Sequence, residues 1–537
     1  MRLTHPSGAQ GEASTEVTSA PAFPGGSRLP LLALFILVLL TVVMIRVTDG
    51  SLVMSVAPGL LALLLAAVWV LPLRVTMMVL VAAGWVIEAD GDIFADGVLV
   101  TPWAVLGKIL WGKLNLLLPV SALVITGFDL VAIFLFVVIL YRRTRGITID
   151  REGWVEQAPP IAGFAIISLI GVLWMGAFGL ATGGQFRFVL WQSIKWLYVP
   201  VIYALMLQAI RGPQDGWLLG KVVLGAGVVR AVEAIVIRGM YPDVEKVTFV
   251  TSHHDSVLFV TCVAILIAGM LELRSKRWVK ASLLLLPLYF YAMVANNRRL
   301  AWVELVFVLA IFWLITPWRP LKRRAARLLA AGALPFVLYA AVGWGSYSPI
   351  FAPVTMIRSV VDSKSDASSY WRDLENINLV ETFKQNPLFG AGFGHPMVQK
   401  VSLPDITGAY ELEPYVPHNS VLGIWAFGGL VGFALLWMLF PVGAFFSVRA
   451  YRWARAPELR VMALGAIAVQ TCYVFQGYGD LGFGAWGPVF TVAASYVLVG
   501  KICVAIGAWY APRSARAPSS SSRAGPAAPA LAPGREW

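Results

Sequence analysis

The chain has 537 residues, 58% of them hydrophobic and 13% charged, with a mean hydropathy of +0.75. A soluble domain is about 45–50% apolar and about 25% charged, so a single soluble globular enzyme is excluded. The net charge of +13 lies mostly in short Lys/Arg clusters at the ends of apolar runs. That is the pattern of cytoplasmic loops in a membrane protein and argues against nucleic acid as a partner.

Residues 1-28 are polar and contain Pro, Gly and Ser, with no short apolar stretch leading to a small-residue cleavage site. They read as a disordered cytoplasmic tail. Apolar runs then recur at 29-47, 52-71, 73-88, 118-141, 160-180, 188-210, 217-237, 255-273, 279-295, 299-316, 327-345, 419-446, 459-477 and 484-507. Most are long enough to cross a bilayer, and they predict an all-α polytopic membrane protein of about 14 transmembrane helices. Helices 1-11 are expected over 29-345, one large extracytoplasmic loop with an amphipathic helix over 346-418, and helices 12-14 over 419-507. A second disordered cytoplasmic tail follows over 508-537, where the low-complexity PRSARAPSSSSRAGPAAPALAPG lies. The segment 97-117, with its Pro, Trp and Lys, suits an interfacial or re-entrant piece.

Charge tests this threading. With both termini cytoplasmic, YRRTRG (141-146), ELRSKRWVK (272-280), PWRPLKRRAAR (317-327) and RAYRWARAPELR (449-460) all fall inside, as the positive-inside rule requires. The connection EADGDIFADG (88-97) falls outside, and so does one short basic cluster, Asn296-Asn297-Arg298-Arg299. Two arginines could snorkel to the headgroups. A pair on the disfavoured side, where arginine is costly, instead suggests a function.

Several outward segments carry candidate chemistry. Thr251-Ser-His253-His254-Asp255 opens a helix and could line the path of an acceptor or bind a metal. Glu304, beyond Arg299 on the next helix, could orient an arginine. Asp129 and Glu233 lie in or near spans and could pair with a neighbouring helix or line a cavity. Asp90-Gly-Asp92 could hold a divalent cation, although an acidic outward loop needs no such role. Cys262, Cys472 and Cys503 form no CxxC pair and lie in or beside apolar runs, which argues against redox or zinc chemistry.

In the late loop, residues 368-386 read as a helix that ends at Asn386-Pro387. Trp371, Leu374, Ile377, Val380 and Phe383 fall on one face, and Arg372, Glu375 and Asn376 on another. Its polar side would face a cavity, or Arg372 would simply pair with Glu375. Gly390-Ala-Gly392-Phe-Gly394 does not open a βαβ unit, so a dinucleotide site is rejected. Its glycines would allow close approach to a neighbouring helix or a ligand. Pro417-His418-Asn419-Ser420 then stands where the chain re-enters the bilayer, with an imidazole suited to accepting a proton from a hydroxyl.

Together these residues resemble the O-antigen ligase and Wzy-type polymerase superfamily. NNRRLAW is similar to its Ser-Arg-x-Ala-like motif. YWRDLENINLVETFKQNPLFGAGFG is similar to its Arg…Asn-Pro-Leu-x-Gly-x-Gly segment, and PHNSVLGIWAFGGLVGF to its His-Asn-Ser motif. Their order and spacing agree across about residues 160-500. The resemblance implies a GT-C-like membrane fold and an inverting, metal-independent glycosyltransferase without a cofactor. It would move a glycan from undecaprenyl diphosphate to a hydroxyl of a glycan, lipid or protein acceptor at the outer face of the inner or plasma membrane. His418 would be the general base, Arg299 and Arg372 the diphosphate ligands, and Asn419 a lining residue. Aligning Ala301-Trp302 favours Arg299, but Arg298 stands where the family has serine and Leu300 where a small residue is usual, so Arg298 stays open as a ligand. Competing classes are a transporter or flippase of lipid-linked glycans, a metal-dependent GT-C enzyme using Asp90 and Asp92, and a non-catalytic assembly partner. A flippase would show charges along many spans and a repeat; here the unusual polar residues gather at one membrane face, and no repeat is visible.

Overall fold

The structure is a computed structural model that describes residues 28–88, 94–95, 98–99, 103–113, 125–146, 160–242, 249–273, 275–346, 348–361, 367–403, 414–479 and 482–509. The described elements are helical apart from an isolated bridge between Lys113 and Thr126 and one short antiparallel pair, Phe94–Ala95 with Val98–Leu99. Helix is the expected outcome for apolar runs, because in hydrocarbon a segment must satisfy its backbone hydrogen bonds internally. Asp90 and Asp92 lie outside the described residues.

The chain forms two compact units, one of residues 1–72 and 108–149, the other of 73–107 and 150–537. The first contains α1 (Arg28–Val47), α2 (Leu52–Val70) and a helix at Gly127–Thr144. Arg142 donates to Trp69 O at 2.6 Å and to Leu71 O at 3.1 Å, placing a cation on the unsatisfied carbonyls that end α2. Asp129 is engaged at the start of its own helix. It accepts from the Thr126 backbone at 2.6 Å, and Thr126 Oγ1 accepts from the Asp129 N–H, a capping box that starts the helix.

The second unit begins with α3 (Leu73–Val86). After the short α4 (Ala104–Leu110) and the Gly127–Thr144 helix, numbered α5, come α6 (Ile161–Ala181), α7 (Phe186–Ala209), α8 (Pro213–Met240) and α9 (Asp255–Glu272). There follow α10 (Lys276–Asn296), α11 (Arg299–Ile315), α12 (Pro320–Gly343), α13 (Ala352–Val361) and α14 (Ala367–Gln385). The unit closes with α15 (Ser420–Trp437), α16 (Leu439–Trp453), α17 (Pro457–Gly479) and α18 (Trp486–Ala505). Helices α9 and α18 are buried over most of their length and form the core, whereas α12 buries none of its apolar span. By length and composition, seven described helices can cross a membrane, or eight if the bent α7 is one span.

The span expected at 419-446 is two helices, and the first is itself broken. Gly429 has φ 56° and ψ −160°, a region open essentially to glycine alone. The residues after α14 fill the break. Leu430 N–H donates to Pro387 O at 2.8 Å and Val431 N–H to Leu388 O at 3.0 Å, while Ala391 and Gly392 donate to Ala426 O and Phe427 O at 3.0 and 2.8 Å. Irregular backbone is tolerated in an apolar setting when protein satisfies it in this way. The glycine run thus makes a close approach to neighbouring helices: a Cβ on Gly390 would meet Gly429 N at 2.5 Å, and one on Gly392 would meet Gly179 Cα at 2.5 Å.

Candidate functional site

Helix α10 ends with Asn297 in the left-handed region, φ 52°, which asparagine tolerates better than most residues. The turn this allows directs its neighbours inward. Asn296 is buried, accepts from Thr251 N–H at 3.0 Å and donates to Ser252 O at 3.4 Å. Arg298 is only 5% exposed. One Nη donates to His253 Nε2 at 2.7 Å, the other to Thr251 O at 3.4 Å, and the guanidinium stacks 3.4 Å from the Phe249 ring centroid. Snorkelling therefore does not describe Arg298, which is locked to residues 249–253 by charge-assisted hydrogen bonds and a cation–π contact. Arg299, the first residue of α11, is half-buried.

Asp255, a candidate for lining an acceptor path or binding a metal, is 1% exposed and paired with Arg230, whose Nε lies 3.1 Å from both carboxylate oxygens and whose Nη2 lies 2.6 Å from one. Arg230 is fully buried and also holds Glu233, at 2.8 Å, and Glu88. A charge buried this deeply needs opposite charges around it. Sequence reading did not single out Arg230: Glu233 is at i+3, but Asp255 and Glu88 are 25 and 142 positions away. The cluster fixes the start of α9, and with it His253 and His254, which are both half-buried.

Glu304 does not orient an arginine either. It is 0% exposed, and neither carboxylate oxygen has a hydrogen-bond partner among the described residues. Leu300 lies against Gly479 and Phe307 stacks on Phe475, so α11 packs along α17, where Glu304 lies beside Cys472.

Helix α14 presents its polar side to the protein. Glu375, Asn378, Leu379 and Thr382 are buried, while Ile377 and Val380 are exposed. Asn378 brackets Val401 with two hydrogen bonds of 2.9 Å, and Thr382 accepts from Val398 N–H at 2.8 Å. Toward α15 the same face meets the His-Asn-Ser segment. Glu375 accepts the His418 backbone N–H at 3.0 and 3.1 Å and faces His418 Nδ1 at 3.3 Å. The Trp371 ring stands edge-on to the imidazole, 4.8 Å between centroids. Asn419 donates to Asn376 Oδ1 at 3.0 Å while capping α15 through Leu422 N–H, also at 3.0 Å. The alternative pairing of Arg372 with Glu375 is not formed. Glu375 is turned to His418, and Arg372, half-buried, makes no ion pair among the described residues.

Sequence reading missed the Glu375 contact because helical spacing reports only neighbours three or four positions away, whereas His418 is 43 positions on. The structure thus gathers the candidates into two groups: Arg298 with His253 at the α10–α11 turn, and Arg372, Glu375, Asn376, His418 and Asn419 between α14 and α15.

No curated protein matches the chain. A family model described as O-antigen ligase matches residues 284–437. That stretch contains Arg298, Arg299, Arg372 and His418, and the match supports the O-antigen ligase/Wzy superfamily.

Proposed function

We propose that the chain is an inverting, metal-independent glycosyltransferase. It takes a glycan from undecaprenyl diphosphate and passes it to a hydroxyl of a glycan, lipid or protein acceptor, as a ligase or polymerase of surface polysaccharide. In this reading the helices form about 14 spans of a GT-C-like fold with both termini cytoplasmic. The α10–α11 turn and the α14–α15 junction then share the outer face of the inner or plasma membrane.

The observation that carries the reading is His418, 21% exposed at its side chain and held through Nδ1 against a buried carboxylate, inside the segment matched by the ligase model. Its Nε2 would take the acceptor hydroxyl proton as the new C–O bond forms. The bond from the anomeric carbon to the diphosphate breaks on the opposite side, and its electron pair leaves with the diphosphate. Guanidinium groups bind phosphate oxygens bidentately and keep their charge, so Arg372 with Arg299 or Arg298 would stabilise that leaving group. Preorganised donors of this kind are worth about 10²–10³ in rate each.

The test is transfer by purified protein from a defined undecaprenyl-diphosphate glycan, with and without EDTA. Full activity in EDTA and loss of at least about a hundredfold in His418→Ala are expected. Loss in EDTA would overturn the metal-free mechanism, and an unchanged rate in His418→Ala would remove the base.

A further inference from the structure

Glu375 is a carboxylate with 1% exposure that, among the described residues, pairs with no lysine or arginine. A buried charge is costly unless several hydrogen bonds meet it. Among the described residues they come from one: the backbone N–H of His418 at 3.0 and 3.1 Å and its Nδ1 at 3.3 Å. A side chain serving only to hold α14 against α15 would do so better as an amide or an aliphatic group, because neither must be stripped of water as an ion. Two attachment points on one residue do something that packing does not. The backbone bond fixes where the residue stands, and the Nδ1 contact fixes how the ring is turned and which nitrogen carries the proton. Trp371, edge-on at 81°, holds the ring plane, and the Asn419–Asn376 bond ties down the next residue. The other charged groups on this part of α14 are Arg372 and the exposed Asp373.

We infer that Glu375 is the positioning residue of the transfer reaction: it holds His418 with the proton on Nδ1 and the lone pair on Nε2, and it steadies the imidazolium formed when Nε2 takes the acceptor proton. This rests on the reading of His418 as the base. The proton that Glu375 faces remains on Nδ1 throughout.

The experiment uses the full-length purified protein, a synthetic undecaprenyl-diphosphate disaccharide as donor and a total membrane extract as the acceptor pool. Glu375→Gln keeps the size of the side chain and an acceptor for the His418 backbone N–H. In a catalytic triad the corresponding acid-to-amide change costs about 10⁴ in kcat. A fall of about 10²–10⁴ in kcat is expected, with the donor KM changed by less than about threefold. Glu375→Asp, which keeps the charge, should recover at least about tenfold of that loss. In a His418→Ala background Glu375→Gln should cost less than about twofold further, because residues that act as a unit are not additive. Overturning results are a Glu375→Gln enzyme within threefold of wild type while His418→Ala is inactive, an aspartate variant no better than the glutamine one, or an equal loss in both backgrounds. The last would mark a purely structural residue. Full activity in His418→Ala alone would instead sink the base assignment itself.

Discussion

Replacing Gly429 with alanine tests whether the broken helix holds the two walls of the site together. The new Cβ would stand 2.4 Å from Gly390 N, 2.6 Å from Leu388 C and 2.6 Å from Phe389 N. All three atoms are backbone, so no side-chain rotation relieves the clash. Alanine must also adopt a conformation that costs about 1–3 kcal/mol. Moving the 387–392 segment away gives up some of the four hydrogen bonds that join it to α15, each worth about 1 kcal/mol net. With two of them lost, the total is about 4 kcal/mol, close to a thousandfold in the folded-to-unfolded ratio. Because that segment continues directly from the helix that carries Glu375, transfer should fall together with stability. Gly432→Ala is the control. Its Cβ would meet the sulfur of Met175 at 2.8 Å, the flexible end of a side chain that can swing aside. Thermal melting of detergent-solubilised protein, followed by size-exclusion recovery, should rank Gly429→Ala well below Gly432→Ala. Equal melting temperatures for both variants and wild type would refute the argument.

Two other buried groups give opposite expectations. Arg230→Met removes the buried guanidinium that Glu88, Glu233 and Asp255 share, and breaking such a cluster costs about 3–5 kcal/mol. A marked drop in melting temperature is expected, partly restored by adding Asp255→Asn; a variant melting with wild type would show that the cluster contributes nothing. Glu304→Gln replaces a fully buried carboxyl that has no hydrogen-bond partner among the described residues with an uncharged group of the same shape, so stability should hold or rise. Transfer rates should stay within about threefold of wild type, since no reaction-path contact is removed; a hundredfold loss would put Glu304 on the reaction path.

What the sequence by itself determined was local. Apolar runs became helices because hydrocarbon leaves a segment no other way to satisfy its backbone. The Asn386-Pro387 pair did end α14, at Gln385, since proline acts on its immediate neighbour. The motif order that resembles the ligase superfamily is legible in one dimension, and the matched segment agrees with it. The partners were decided only in three dimensions. Spacing along α14 offered Arg372 to Glu375, but packing gave Glu375 to His418. Asp255 read as lining an acceptor path or binding a metal until Arg230 from α8 met it. Arg298 looked like a misplaced surface charge until the left-handed Asn297 turned it onto Phe249 and His253. Even the break at Gly429 was hidden, because glycine is common in membrane helices, and only the intruding 387–392 backbone makes its conformation necessary. Each of these outcomes depends on a contact between residues far apart in the chain. The energy of a buried charge or an unsatisfied carbonyl is set by whatever the fold brings beside it, and no local pattern carries that information.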